Sequence, residues 1–357
     1  MKSYLFPGQG AQKKGMGEGL FDAFPQLVEE ADEVLGYSIR SLCLDNEDGL
    51  LNQTRYTQPA LYVVNALSYQ QQIDQTGILP DFVAGHSLGE YNALQAAGAI
   101  SFGGGLKLVK KRGELMSQAG NGAMAAILGI PSAAVSEGLL SHDLNTIDIA
   151  NYNCATQTVI SGLPEDLQKA RLVFDSEDAM YVAINTSGAF HSRYMAPAKA
   201  EFETYLRQFT FSELNLPVIS NVYAEPYKQD TIAQYLAEQI TSPVKWEQSM
   251  CYLLDQGEMA FLELGIGHTL TKLIKKIRKS HAPQSTSSRP AIEASMEKIN
   301  HWNNTYTVGE KVLVDGYAGE LETYTAAMML FGRKAVVYLK GYRGYFELSD
   351  VCAVCED

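Results

Sequence analysis

Basic residues are scarce in this chain of 357: 28 Lys and Arg stand against 41 Asp and Glu, a formal net charge of -13. Such a chain repels a phosphate backbone, which argues against nucleic-acid binding unless its few cations cluster, and an anionic ligand needs a dedicated one. Cysteine is sparse too. Cys43, Cys154, Cys251, Cys352 and Cys355 are odd in number and mostly scattered, which argues against a secreted disulfide framework and for reduced thiols. Cys352 and Cys355 form a C-x-x-C with no second pair, whereas a structural zinc wants four ligands, so no metal is expected. No apolar run approaches the roughly 20 residues of a membrane span. The opening MKSYLFPGQG breaks at Pro7 and Gly8, too early for the core of a secretory signal. A cytoplasmic protein without membrane contact is expected. Internal repeats and strong low-complexity tracts are missing as well.

What is present is a globular composition, 46% hydrophobic and 19% charged, enough to bury one large core and a small additional one. Tyr4-Leu5-Phe6 reads as a strand that feeds the glycine-rich PGQG loop, with a helix over 18–35 after it. Leu61, Val64, Ala66, Leu67 and Ile73 recur with a helical period over 58–74. Phe82-Val83-Ala84 is a short buried strand, and a helix runs from Leu88 to Ala99. Between them lies Gly85-His86-Ser87-Leu88-Gly89, and strand, sharp turn and helix are the context that makes G-x-S-x-G a nucleophile elbow.

The segments 122–130, 148–162 and 180–192 look like strands, separated by helical stretches at 131–141 and 164–175. This β-α-β-β-α-β pattern predicts a ferredoxin-like small subdomain, residues 121–191, inserted in a larger α/β subdomain made of 1–120 and 192–280. Past Lys279, HAPQSTSSRPA opens a polar linker assigned to 281–300. Alternating apolar and polar residues with interspersed glycines then predict a small all-β, barrel-like module over 301–357.

A serine nucleophile needs a base in hydrogen-bond reach and donors for the oxyanion. The backbone N–H of Leu88, at a helix N-terminus, is one such donor. Of the six histidines, His86 neighbours the nucleophile and points elsewhere, His281 and His301 lie in or near the linker, and His142 follows a polar helix end. His191, closing the strand at S-G-A-F-H-S where the chain re-enters the main core, is the favoured base. No acid between Ser87 and His191, Glu90 included, has an obvious seat beside the imidazole, so a carbonyl is the alternative orienting group. Arg112 offers a planar fork for a carboxylate, against the alternative of a solvated helix face like that expected for Lys110 and Lys111.

FPGQGAQ, GHSLGEYNAL, KRGELM, GAMAAILG, IANYNCATQTVISG, GAFHS and SPVKW occur in that order over residues 1 to about 280. Together they resemble malonyl-CoA:acyl carrier protein transacylases, most closely the free-standing acyltransferases that serve polyketide synthases lacking built-in ones. The resemblance implies an α/β-hydrolase-like large subdomain, no cofactor, and malonyl-CoA and the acyl carrier protein domains of a polyketide synthase as substrate and partner. Ser87 then carries the acyl ester and His191 is its base. Gln9 corresponds to the loop glutamine whose N–H joins that of Leu88 in the oxyanion hole. Arg112 corresponds to the arginine that binds the malonyl carboxylate, and the main-chain carbonyl of Gln239 to the group orienting the histidine. Phe190 and Met124 correspond to pocket walls, Phe190 leaving little room for an α-methyl group. Asn151 and Asn153 fall in the stretch lining the small-subdomain side of the cleft. Gly265-Ile266-Gly267 departs from the family's Gly-Pro-Gly, and the C-terminal module lies outside the pattern. An acyl hydrolase on the same fold and a non-catalytic partner-binding protein are the competing readings.

Overall fold

Apolar runs bounded by glycine, proline and asparagine become the strands of the N-terminal unit. They are β1 (Lys2–Phe6), β2 (Phe82–Gly85), β3 (Ala123–Leu128), β4 (Asp148–Cys154), β5 (Gln157–Gly162), β6 (Met180–Ile184), β7 (Val218–Ile219) and β8 (Ala260–Glu263). The computed structural model describes residues 1–46, 49–176, 178–186, 188–281, 289–314, 317, 319–330, 334–342 and 345–354. By its contacts the chain divides into two units, Met1–Ala282 and Pro283–Asp357.

In the first unit one sheet is parallel throughout, in the order β7-β2-β1-β8. Its strands are short and nearly all apolar; β2 and β7 are mostly or wholly buried, as expected of strands covered on both faces, while the edge strand β8 is half-exposed. Tyr4, Phe6 and Val83 enter the main core with Leu61, Leu67 and Leu106, while Leu5 and Ala84 enter a second cluster with Trp246 and Ile274. Every strand of this sheet ends at the same edge, which is where ligands bind in open parallel sheets.

The second sheet is antiparallel, in the order β4-β5-β3-β6. Its alternation divides the residues of β3 between two cores. Ala125 and Ile127 pack with Val135, Leu139, Leu167 and Phe174 from the helices Ser132–Ser141 and Pro164–Phe174. Met124 and Ala126 join the main core instead.

The described residues of 283–357 form two three-stranded antiparallel sheets. With β9 (Lys311–Val314), β10 (Leu321–Glu322), β11 (Met328–Leu330), β12 (Lys334–Tyr338), β13 (Tyr345–Glu347) and β14 (Val351–Ala353), the orders are β10-β9-β14 and β11-β12-β13. The linker reading of 281–300 fails from Arg289 onward, where a helix runs to Thr305. Residues 282–288 lie outside the described residues. Ile299, Trp302 and Tyr306 explain the helix: spaced i, i+3, i+7, they form a stripe that packs on Val312, Val337 and Leu348. Trp302→Ala is expected to destabilise this unit by about 3 kcal/mol, read as a lowered urea midpoint.

Candidate active site

The end of β2 and the start of the helix Gly89–Ala96 leave three residues for a reversal of direction, and Ser87 takes the strained middle position with a φ of 52°. The flanking glycines are obligatory on steric grounds. A Cβ on Gly85 would sit 1.9 Å from the Gly89 carbonyl, and one on Gly89 would sit 2.0 Å from the Phe6 oxygen. Gly85→Ala is therefore expected to destabilise the fold by about 3 kcal/mol or more in thermal unfolding.

The backbone N–H of Ser87 donates to Asn221 Oδ1 at 2.7 Å, and Asn221 Nδ2 donates to the Gly85 carbonyl at 2.7 Å. Asn221 lies two residues past the end of β7, so a second strand end clamps the elbow. With the Ser87 N–H taken, Leu88 is the next donor along the turn. The PGQG loop after β1 lies against it: a Cβ on Gly8 would be 3.6 Å from the Leu88 nitrogen. The Gln9 side chain donates to Thr54 Oγ1 at 3.2 Å.

His191 has a φ of 58° and is buried. Its Nε2 lies 2.8 Å from Ser87 Oγ, and its Nδ1 lies 2.8 Å from the main-chain oxygen of Gln239. A carbonyl only accepts, so the proton sits on Nδ1 and the Nε2 lone pair faces the serine hydroxyl. Burial first, and the Arg112 cation second, push the imidazole down to about 3. His191 is thus a neutral base in the resting enzyme.

Arg112 is 1% exposed, on the helix Phe102–Gln118. Its Nη1 donates to Gln58 Oε1 at 2.7 Å, and its Nη2 donates to Ser87 Oγ at 3.1 Å and to Gln239 Oε1 at 2.9 Å. The neighbouring Lys110 is also not a free surface cation; its Nζ donates to the carbonyls of Val34 and Leu35, at the end of the helix Pro25–Leu35. A guanidinium is costly to bury, and one that touches the nucleophile is placed to meet an anionic group on the acyl chain.

Gln239 contributes more than its carbonyl. Its Nε2 donates to the Ser87 carbonyl at 2.9 Å and also to Glu90 Oε2. Glu90, fully buried on the elbow helix, further accepts from the Tyr227 hydroxyl at 2.7 Å and the Asn221 N–H at 2.9 Å. Burial pushes its carboxyl up to about 7 against these donors and Arg112.

The remaining expected residues make contacts around these groups. His86 Nε2 meets Asn153 Oδ1 at 2.9 Å and its ring packs 5.4 Å from Trp246, so Asn153 is occupied with the residue before the nucleophile. Asn151 lies in β4 where that strand bridges to Val244. Phe190 and Met124 are both buried in the main core cluster, Phe190 directly before His191. Gln58, Asn221 and Tyr227 were not anticipated. The position of Asn221 just past a parallel strand was the available signal, because the carboxyl edge of the sheet is where such a site forms.

Residues 3–302 match the family model described as acyl transferase domain. The polyketide biosynthesis malonyl CoA-acyl carrier protein transacylase BaeC of Bacillus velezensis is 55% identical over 294 residues, covering 82% of this chain and all of that protein. Its namesake PksC of Bacillus subtilis is 54% identical over 281 residues, covering 78% and 98%. Among solved structures, the malonyl CoA-acyl carrier protein transacylase of Burkholderia pseudomallei has a TM-score of 0.77 at 48% identity, covering 79% of this chain and 99% of that one. A malonyl-transacylase in complex with a type II polyketide synthase acyl carrier protein has a TM-score of 0.74 at 33% identity, covering 78% and 93%. The chain belongs to the acyl transferase domain family.

Proposed function

We propose that this protein transfers a malonyl group from malonyl-CoA to the phosphopantetheine thiol of an acyl carrier protein, through an ester on Ser87, to supply extender units for polyketide synthesis. The observation that carries the reading is the buried Arg112 guanidinium 3.1 Å from Ser87 Oγ, which is itself 2.8 Å from a neutral His191. Nucleophile, base and a carboxylate-binding cation meet within one hydrogen-bonded group. The relatives in polyketide biosynthesis favour carrier proteins of a polyketide synthase as the acceptors. The sheet orders agree with an α/β-hydrolase-like large subdomain carrying a ferredoxin-like insert, β4-β5-β3-β6 being that fold's strand order. A cytoplasmic location fits the reading, and no helix among the described residues is long and apolar enough to cross a membrane.

The cycle has two half-reactions. Malonyl-CoA seats its carboxylate on Arg112, His191 takes the Ser87 proton as Oγ attacks the thioester carbon, and the oxyanion is held by the N–H groups of Leu88 and Gln9. Collapse expels CoA, which receives the proton from His191. The carrier-protein thiol then attacks the ester with His191 as base again, and Ser87 is regenerated. A carboxylate on Arg112 also offsets the cation that depresses His191, so the correct substrate makes its own base stronger.

Because burial and Arg112 hold His191 far below the ordinary imidazole value of about 6.5, the acylation rate is expected not to fall between pH 8 and pH 6. A single-turnover pH profile with an acid limb at about 6.5 would contradict this. The reading as a whole is tested by intact-protein mass after mixing with malonyl-CoA. Wild type is expected to gain one malonyl group that Ser87→Ala does not, and an adduct that persists in Ser87→Ala would place the chemistry elsewhere. An acyl hydrolase would share the elbow and base, but it has no use for a buried cation that selects a carboxylated acyl group.

A further inference from the structure

Two buried opposite charges stand in this site without touching. The Gln239 side chain lies between them: its Oε1 accepts from Arg112 at 2.9 Å and its Nε2 donates to Glu90 Oε2. Glu90 and Gln239 are fully buried and Arg112 is 1% exposed. An ionised carboxylate only accepts and a guanidinium only donates, so the resting charges dictate which way the Gln239 amide faces.

The substrate upsets this balance. In the resting site one cation faces one anion. A malonyl carboxylate on Arg112 adds a second anion beside buried charges, and an uncompensated buried charge is costly. The titratable groups acting on Glu90 are Arg112 from the helix Phe102–Gln118, Tyr91 on its own helix, and Tyr227 from the segment after β7. Neither tyrosine can supply positive charge, and burial raises both hydroxyls. His86 and His191 are both depressed by burial and stay neutral. Glu90 is the group left to absorb the change.

We infer that Glu90 is the resting counter-charge of Arg112, coupled to it through the Gln239 amide, and that it takes up a proton from solvent when the malonyl carboxylate binds. Glu90 is thus a positioning residue that acts on substrate through Gln239 and Arg112. The protonated acid needs an acceptor. Gln239 Oε1, released as Arg112 turns its donors to the substrate, becomes that acceptor if the amide turns over, and Nε2 then faces the incoming carboxylate. Acid and amide exchange roles, and the Ser87 carbonyl, which accepts from Nε2 in the resting site, gives up that donor. A carboxyl pushed up to about 7 by burial is poised for the change. Affinity for malonyl-CoA, but not for an uncharged acyl-CoA, then falls as pH rises above that value, by up to about tenfold per pH unit.

The inference rests on Arg112 taking the malonyl carboxylate, and the test separates the two. Full-length Ser87→Ala, which binds without turnover, is titrated calorimetrically at pH 8 with malonyl-CoA and acetyl-CoA in buffers of different ionisation enthalpy. The expected result is uptake of roughly one proton per malonyl-CoA, none for acetyl-CoA, and loss of that uptake in Ser87→Ala/Glu90→Gln with binding retained. Binding of malonyl-CoA without proton uptake overturns the role of Glu90 and leaves the malonyl reading intact, as does uptake that survives Glu90→Gln. Failure of malonyl-CoA to bind more tightly than acetyl-CoA overturns both. Should Glu90→Gln not fold, infrared difference spectra of Ser87→Ala decide. A deuterium-sensitive carboxylic-acid band that grows on malonyl-CoA binding supports the inference, and its absence overturns it.

Discussion

Arg112→Ala is expected to lower kcat/KM for malonyl-CoA by on the order of 10³, because removing one partner of a buried, hydrogen-bonded charge pair costs several kcal/mol. The guanidinium is 1% exposed and has fixed partners in Gln58 and Gln239, so its fork is oriented before substrate arrives. Acetyl-CoA, without a carboxylate, should lose far less, and the ratio of the two kcat/KM values is the informative quantity. Arg112→Lys keeps the charge but replaces a planar fork with a point charge, so an intermediate loss is expected. Equal losses for both thioesters would mean that Arg112 supports the fold of the site and does not select the acyl group. The same variant bears on water exclusion: if the pair pins the ester, hydrolysis of the malonyl enzyme should accelerate.

His191→Ala is expected to slow acylation and deacylation alike, each by on the order of 10² to 10⁴, since one imidazole serves both half-reactions as base and acid. Two features set this expectation. The 2.8 Å contact with Ser87 Oγ puts the proton transfer in reach, and the 2.8 Å contact with the Gln239 carbonyl fixes the tautomer. That orienting group belongs to the main chain, so Gln239→Ala retains it and loses only the amide bonds to Arg112, Ser87 and Glu90. Gln239→Ala is therefore expected to affect the malonyl-CoA KM more than the chemical step. Rapid-quench measurement of the two half-reactions checks both expectations; a loss confined to one would assign the second proton transfer to another group.

The centre of this site was legible in the chain because its motif is local. Gly85, Ser87 and Gly89 fall within five residues, and the sterics that demand glycine act over the same turn. His191 was reached by comparing the six histidines, whereas the roles of Arg112 and the carbonyl of Gln239, both far off in sequence, came from the resemblance. What escaped was the polar scaffold. Gln58 meets Arg112 across 54 positions and Glu90 meets Gln239 across 149, and each is a single hydrogen bond between elements with no periodic trace. Glu90 was visible as an acid and had no visible seat, since that seat is built from Tyr227, Asn221 and Gln239. The helix Arg289–Thr305 was missed for a related reason. Its polar, proline-bearing start hides a stripe of Ile299, Trp302 and Tyr306 whose value comes only from the strands it covers.

The core of the account is that Ser87 holds its acyl group for a thiol and not for water. Malonyl-loaded enzyme mixed with a holo-acyl carrier protein, with malonyl-carrier protein and free malonate quantified over time, tests this directly. The account predicts that nearly all of the label moves to the carrier thiol and that malonate accumulates slowly in its absence. Release of malonate at one rate, with or without the carrier protein, would contradict it.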